Sequence, residues 1–268
     1  MTFTMLHSNR FKVKNFIVKL AVLLFWIGVW QGVFMIVNEK YGDILLVSPL
    51  QVLNRLFELV KTADFWIDTF TSLFRITQGY LLGIVFALLI AVLTSRFSFF
   101  SYLLKPVISL VKTTPVTSFI LLALVWIKKD SVAVFISFLM VLPIIWSNVC
   151  QGLEQTDKSL LEMAKVFRFS PFKKLKTIYF HSIMPYFIAG CTTALGFAWK
   201  AGIAAEVLST PLKSIGYNLY RSKINIETAD LFAWTAVVIV LSVVFEKIIV
   251  AVLSKISVNG EDSNGKNQ

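Results

Sequence analysis

Charged residues are scarce in this chain of 268 residues, and cysteine and histidine are scarcer still. Only 15% of the residues are Asp, Glu, Lys or Arg, whereas 57% are hydrophobic. This composition excludes an ordinary soluble domain and indicates a protein with several membrane spans. The two cysteines, Cys150 and Cys191, form no CxxC pattern. The sequence therefore predicts neither a disulfide framework nor a metal site.

The sequence motifs of the common enzyme classes are also missing. The chain contains no HExxH, no Gly-x-Ser-x-Gly and no glycine loop of the kind that cradles phosphates. Its two histidines, His7 and His181, do not belong to a catalytic cluster. We therefore expect a chain that is not an enzyme, carries no cofactor and leaves any ATP hydrolysis to a separate subunit.

Six apolar stretches are long enough to cross a hydrocarbon core of about 30 Å as helices. They cover Phe16–Val37, Phe70–Leu93, Leu103–Ile127, Val132–Val149, Ser182–Ile203 and Leu231–Leu253. The third stretch is interrupted at Lys112 to Pro115, which predicts a kinked helix or two short helices. The expected fold is all-α: a membrane domain over residues 16–256 between a tail at 1–15 and a polar, disordered tail at 257–268.

The basic residues predict the orientation, because Lys and Arg near span ends stay on the cytoplasmic side. Six spans place both termini on one side of the membrane. If that side is cytoplasmic, most of the basic residues and the whole 150–181 loop are cytoplasmic. The same bias and contact with anionic lipid explain the net charge of +11, so the lipid bilayer is an expected partner and nucleic acid is not.

Two soluble segments show helical signals. Ser48 and Pro49 are a typical N-cap and first helical residue, and the apolar residues after them recur at helical spacing. In the cytoplasmic loop, Ser159 and Glu162 match a capping box, which predicts a helix from about Leu160 that ends before Ser170. A basic stretch then leads into the next span at Pro185.

The cytoplasmic loop also carries large apolar side chains that water alone would not favour, at Phe167, Phe169 and Phe172. A docking helix for a partner explains them better than a solvated basic connection does.

Ionisable residues inside spans are the first candidates for function, because burying a charge is costly. Lys112, with Thr113 and Thr114 beside it, is a candidate for the lining of a substrate pathway. Lys200 and Glu206 could form a buried pair that orders helix packing, or could contact substrate. Two further interpretations stay open: Arg75 as a snorkelling or helix-pairing residue, and Trp199 as an interfacial residue or a wall of the substrate site.

The cytoplasmic loop resembles the signature loop of the permease subunits of binding-protein-dependent ABC importers, in particular the nitrate, sulfonate and taurine branch. The matching residues of the loop are Leu161, Glu162, Ala164, Ser170 and Pro185. Weaker matches extend over most of the chain, at Ser48-Pro49, Ser72 to Arg75, Gly79, Thr114-Pro115, Gly190, Trp199, Glu206 and Gly216. There are two departures, because Arg168 stands where the family has glycine and His181 replaces a proline.

The resemblance implies a six-span permease of the type I importer fold, with a cytoplasmic coupling helix that docks into a cleft of an ATPase subunit. Glu162 would orient this helix, Ala164 would allow close approach, and Phe167 and Phe172 would fill the cleft. The candidate coupling residues are Ser159, Glu162, Ala164, Lys165, Phe167, Arg168, Phe172 and Pro185. The candidate pathway residues are Lys112, Thr113, Thr114, Trp199, Lys200 and Glu206.

The same resemblance implies partners and a location. We expect two copies of a cytoplasmic ATPase, an extracytoplasmic solute-binding protein and a second permease copy, in a bacterial cytoplasmic membrane. The solute would be a sulfonate-, nitrate- or taurine-like anion, or a small heterocycle such as a pyrimidine vitamin precursor. A secondary transporter or a membrane-embedded enzyme is the alternative, but the spans hold few coupling carboxylates and no catalytic cluster at one depth.

Overall fold

The computed structural model describes the backbone of residues 3–265 and the side chains of residues 17–253. This described part is helical and contains no strand. The helices are α1 (Phe3–Tyr41), α2 (Pro49–Val60), α3 (Ala63–Arg96), α4 (Ser98–Thr113), α5 (Val116–Trp126), α6 (Lys129–Glu154), α7 (Lys158–Val166), α8 (Pro171–Lys174), α9 (Phe180–Ser209), α10 (Ile215–Ile224) and α11 (Thr228–Gly265). The tails proposed at 1–15 and 257–268 include residues outside the described set and remain predictions.

The all-α fold with membrane-spanning helices is confirmed. Within the described residues, five helices are long and apolar enough to cross a bilayer, and the sixth predicted span is the pair α4 and α5, bent by 108°. The break is at Thr114 and Pro115, where Thr114 has an extended ψ of 135°. Proline causes this break because it lacks an N–H and disfavours helical geometry in the residue before it. The third span is therefore two short helices.

Two compact units make up the chain. One unit comprises the chain up to Ala63 together with Arg221–Ala236, and the other comprises Asp64–Tyr220 with the chain from Val237 onward. In the first unit, α2 begins as the sequence predicts: Ser48 Oγ accepts from the Gln51 N–H, Gln51 Oε1 accepts from the Ser48 N–H, and Pro49 is the first helical residue. Arg55 forms an ion pair with Asp230.

The second unit is organised by close approach of α3, α6 and α9. A Cβ atom added at Gly79 would lie 2.3 Å from the Val134 carbonyl oxygen, and one at Gly83 would lie 2.6 Å from Val141 Cβ. Small residues of this kind let membrane helices pack backbone to backbone, since apolar surface alone does not drive association in lipid. Glycine at these positions thus sets the spacing of α3 and α6.

The bent pair of α4 and α5 lies against both ends of α6. The α5 residues Ile120 and Ala123 pack against Val132 and Ala133 at the start of α6, whereas Lys105 of α4 lines a cavity with residues from the end of α6. A bend of 108° is compatible with a broken span and with a re-entrant loop.

Candidate functional site

The segment between α6 and α9 contains most of the candidate coupling residues, and most of it is helical. A three-residue connection after Glu154 leads into α7, and a second short connection leads into α8 at Pro171. Ser170 caps α8 by accepting from the Lys173 N–H at 3.3 Å, with Pro171 as the first helical residue. The prediction that α7 ends before Ser170 is confirmed, because its last residue is Val166.

The predicted capping box at the start of α7 is wrong. Asp157 is the N-cap: its Oδ1 accepts from the Ser159 N–H at 2.8 Å and from the Ser159 hydroxyl at 2.7 Å. These hydrogen bonds hold the pKa of the Asp157 carboxyl below its usual value. Because the helix begins at Lys158, Glu162 lies too far into it to reach back to the cap, and its side chain is exposed instead.

The C-terminal end of α7 is a Schellman motif built on an arginine. Phe169 N–H donates to the Ala164 carbonyl at 2.9 Å, and Arg168 N–H donates to the Lys165 carbonyl at 3.1 Å. This pattern requires a left-handed residue, and Arg168 supplies it with φ of 49°. The arginine therefore occupies a conformation that glycine reaches without steric cost.

One face of α7 is apolar and exposed. Leu160, Met163 and Phe167 follow one another at intervals of three and four residues, so they lie on the same side of the helix. Their exposed fractions are 41%, 40% and 68%, and Phe172 just beyond is 75% exposed. A row of exposed apolar side chains is typical of surfaces that bind protein partners or membranes.

Two expected coupling residues do not fit their assigned roles. Ala164 is only 3% exposed, so it packs inside this chain and cannot give a partner close approach. Pro185 lies inside α9 and not at the first residue of that helix. The helical path from Pro171 to Ser209 is instead interrupted by a π turn at Leu175–Tyr179. Lys165 is exposed, on the side of α7 away from Leu160, Met163 and Phe167.

A buried polar cluster lies where α3, α9 and the start of α10 meet. Glu206 is fully buried, and its Oε2 accepts from the Ser72 hydroxyl at 2.7 Å and from the Gly216 N–H at 3.2 Å. Ser72 Oγ in turn accepts from the Ile215 N–H at 2.9 Å. Two side chains from different spans thus satisfy free N–H groups at the N-terminus of α10.

Arg75 joins this cluster to the start of α6. One guanidinium nitrogen, Nη1, lies 3.6 Å from Glu206 Oε1, and Nη2 donates to Asp130 Oδ1 at 2.7 Å. The Arg75 side chain is 12% exposed. Of the two interpretations of Arg75, helix pairing is therefore the one that the structure supports.

The buried pair expected between Lys200 and Glu206 does not form. Lys200 is exposed, whereas the partners of Glu206 are Ser72, Gly216 and Arg75. Six residues on a helix turn through about 600°, so the two side chains leave α9 in different directions. The carboxylate finds an arginine on the neighbouring helix instead.

Trp199 is a packing residue, contrary to both expectations. It is 2% exposed, its indole N–H donates to the Val238 carbonyl at 3.2 Å, and its ring lies 6.1 Å from that of Phe245. These contacts join α9 to α11. A tryptophan so placed neither lies in an interfacial belt nor presents a wall to a solute.

The remaining pathway candidates lie at the bend between α4 and α5. The Thr113 hydroxyl donates to the Ser109 carbonyl at 3.1 Å and the Thr114 hydroxyl to the Leu110 carbonyl at 2.8 Å, so both cap the end of α4. Lys112 is exposed next to them. Among the described residues, no three His, Cys, Asp or Glu side chains are grouped as a metal site would need. A pathway role for the bend remains a prediction.

Sequence reasoning missed three features. The apolar face of α7 includes Leu160 and Met163, which a check of helical spacing within the loop could have found. Arg75 and Glu206 carry opposite charges and lie near the same ends of their spans, a signal that could have paired them. Residue type alone could not show that Asp157 and not Ser159 is the N-cap of α7, because Asp and Ser are both good N-cap residues.

Residues 79–258 match the family described as binding-protein-dependent transport system inner membrane component. The bicarbonate transport system permease protein CmpB of Synechocystis is 29% identical over 157 residues, which cover 58% of this chain and 56% of that protein. The nitrate import permease protein NrtB of Synechococcus elongatus is 26% identical over 220 residues, which cover 78% and 77%. The chain thus spans little more than half of the first relative but most of the second.

A solved structure shares the fold. It is the crystal structure of a bacterial ABC transporter involved in the import of the acidic polysaccharide alginate, with a TM-score of 0.56 and 13% identity. The superposition covers 95% of this chain and 99% of that one. The overall helical fold is therefore one that is found in a known ABC transporter.

Proposed function

Because this chain belongs to the family of binding-protein-dependent transport system inner membrane components, we propose that it is the permease subunit of an ATP-driven importer. It forms the path by which a small solute, delivered by a solute-binding protein outside, crosses a bacterial cytoplasmic membrane. ATP is hydrolysed on a separate ATPase subunit. Two ATPase copies and a second permease copy, most simply a homodimer, complete the proposed assembly.

The observation that carries this proposal is the apolar face of α7. Leu160, Met163 and Phe167 are exposed along one side of the helix, and Ala164, which is next to them on the helix surface, is buried. The helix is held at both ends, by Asp157 and by the Schellman motif at Arg168. A short, fixed helix with an apolar face suits a cleft in another protein, because little conformational entropy is lost on docking.

The mechanical role follows from how this segment is connected. The connection from α6 to α7 contains only three residues, and α8 continues through the π turn into α9. A displacement of α7 by a closing ATPase is therefore passed directly to two spans. With two permease copies, the docked helices approach each other as ATP binds, and the attached spans tilt so that the pathway opens alternately to each side.

The proposed solute is a small anion. Relatives of this chain are a bicarbonate and a nitrate permease, and sulfonates or taurine have the same charged and compact character. A small neutral heterocycle, such as a pyrimidine vitamin precursor, is the alternative. The candidate lining in this chain is the bend at Lys112, Thr113 and Thr114, because its exposed cation would attract an anion.

Docking can be tested by placing a charge on the apolar face. Met163→Asp should reduce recovery of the ATPase with the purified permease by roughly tenfold, since a buried carboxylate without a partner costs more than about 1.4 kcal/mol. Uptake of solute should fall in parallel. Glu162→Lys, which reverses an exposed charge elsewhere on the same helix, should also abolish uptake while the protein remains inserted.

The matched control is Leu212→Asp, which places the same charge on a side chain that is 70% exposed outside α7. This variant should retain the ATPase, because the added charge is not on α7. Normal ATPase recovery and full uptake in Met163→Asp would refute α7 as the docking helix.

A further inference from the structure

A cavity of about 1290 Å³ lies in the second unit, at the end where α3 and α6 finish and α9 begins. It is lined by side chains from α3, α4 and α6 and from the stretch between Pro171 and Phe187. Pockets for drug-sized molecules have volumes of about 300–1,000 Å³. The cavity is thus large for a small inorganic anion and has the size expected for a longer ligand.

The lining changes from apolar to cationic along the helix axes. On α3 it passes from Leu88 and Val92 to Arg96, eight residues or about 12 Å along the helix. On the chain entering α9 the order is the reverse, from Lys174 and Lys176 to Met184 and Phe187. Because these elements run in opposite directions, both place their cations at the same end of the cavity.

The charged end carries a net positive charge. Its cations are Arg96 of α3, Lys105 of α4, and Lys174 and Lys176 of the stretch that leads into α9; among the described residues that line the cavity, the one acid is Glu154. The Lys174 ammonium lies 5.5 Å from the centre of the Tyr179 ring, a contact that favours the cation's position at the cavity wall.

We infer that this cavity binds an anionic phospholipid, with its phosphate among Arg96, Lys105, Lys174 and Lys176 and the upper part of an acyl chain against Val92 and Met184. A depth of about 12 Å with charge at one end and apolar walls at the other matches the shape of an amphiphile within one leaflet. Basic pockets between helices on the cytoplasmic side are suited to anionic headgroups. The leaflet depends on the orientation proposed above, whereas the binding site does not.

Lipid binding can be tested on the full-length chain purified in detergent. Native mass spectrometry would count bound phosphatidylglycerol and phosphatidylcholine, each added separately at equal concentration. We expect phosphatidylglycerol to be retained at least fivefold better by the natural protein. The double variant Arg96→Gln with Lys105→Gln should lose this preference, because it halves the number of cations at the charged end.

The matched control removes two cations elsewhere. Lys128→Gln with Lys129→Gln lowers the net charge by the same amount at exposed positions at the opposite end of α6 and should keep the preference. Equal loss in both double variants, or equal retention of the two lipids by the natural protein, would overturn the inference. The inference would also be overturned if nitrate or phosphate displaced more phosphatidylglycerol than chloride does at the same ionic strength, because this result would indicate a site for a free anion.

A second variant tests the apolar half without touching the cations. Val92→Trp fills the cavity from a position that is 63% exposed, and it should lower phosphatidylglycerol retention at least fivefold. Val85→Trp, on the same helix at a position 53% exposed and outside the cavity, should not. Unchanged retention in Val92→Trp would show that lipid binds elsewhere.

Discussion

At Arg168 the chain keeps a helix-ending motif although the residue is not glycine, which suits that position best. The Schellman motif at the end of α7 needs a left-handed residue, and Arg168 adopts that conformation at φ of 49°. Any residue with a Cβ atom loses about 1 kcal/mol there relative to glycine. The chain accepts this strain at Arg168 and makes both hydrogen bonds of the motif.

Arg168→Gly should therefore stabilise α7 by about 1 kcal/mol against local unfolding. Amide hydrogen exchange of α7 should become roughly fivefold slower, since exchange reports the free energy of local opening. Arg168→Ala is the matched control, because it removes the same charge but keeps a Cβ atom, and it should exchange as fast as the natural protein or faster. Equal slowing in both variants would assign the effect to charge and would contradict the steric argument.

At the scale of the element, the start of α10 contacts α9 at Gly216, and the contact is too close for a residue that has a side chain. A Cβ atom added at Gly216 would lie 2.3 Å from Glu206 Cβ and 2.6 Å from the Val207 nitrogen. The short distance allows the Gly216 N–H to donate to the buried carboxylate. The start of α10 therefore depends on a glycine at this position.

Gly216→Ala should destabilise the protein by roughly 2–3 kcal/mol, because α10 must move away and leave Glu206 without one of its donors. The midpoint of thermal unfolding in detergent should fall by roughly 5–10 °C. Gly196→Ala is the control within α9, since no atom lies within 4 Å of the added Cβ and alanine is the better helix former. A similar midpoint for both variants would contradict the close contact.

Some features of the helices could be predicted from the sequence and others could not. Spans follow from apolar runs, and the start of α2 follows from Ser48 and Pro49, because these signals are local. The partners of Glu206 could not be predicted from the same local signals, since Ser72 and Arg75 are more than 130 residues away in the chain. At Pro185 a local signal is misleading. Proline normally ends a helix, but packing keeps α9 helical at this residue, after the π turn that precedes α9.

At the scale of the whole molecule, orientation connects the docking helix, the cavity and the membrane. The cations of the cavity and those of α7 all come from segments that positive-inside counting assigns to the cytoplasm. The loop before α10 would then lie on the opposite side, facing the solute-binding protein. If the orientation were reversed, α7 could not reach an ATPase that draws on cytoplasmic ATP.

Two single-cysteine additions can determine this orientation in intact cells. Lys213→Cys, in the connection between α9 and α10, should react with a membrane-impermeant maleimide before the cells are opened. Lys158→Cys, at the first residue of α7, should react only after permeabilisation, because the bilayer excludes the charged reagent. The unaltered protein gives the background, which should be low because Cys191 is buried and Cys150 is half-buried. Labelling of Lys158→Cys in unopened cells, with none of Lys213→Cys, would reverse the orientation and remove the basis for docking at α7.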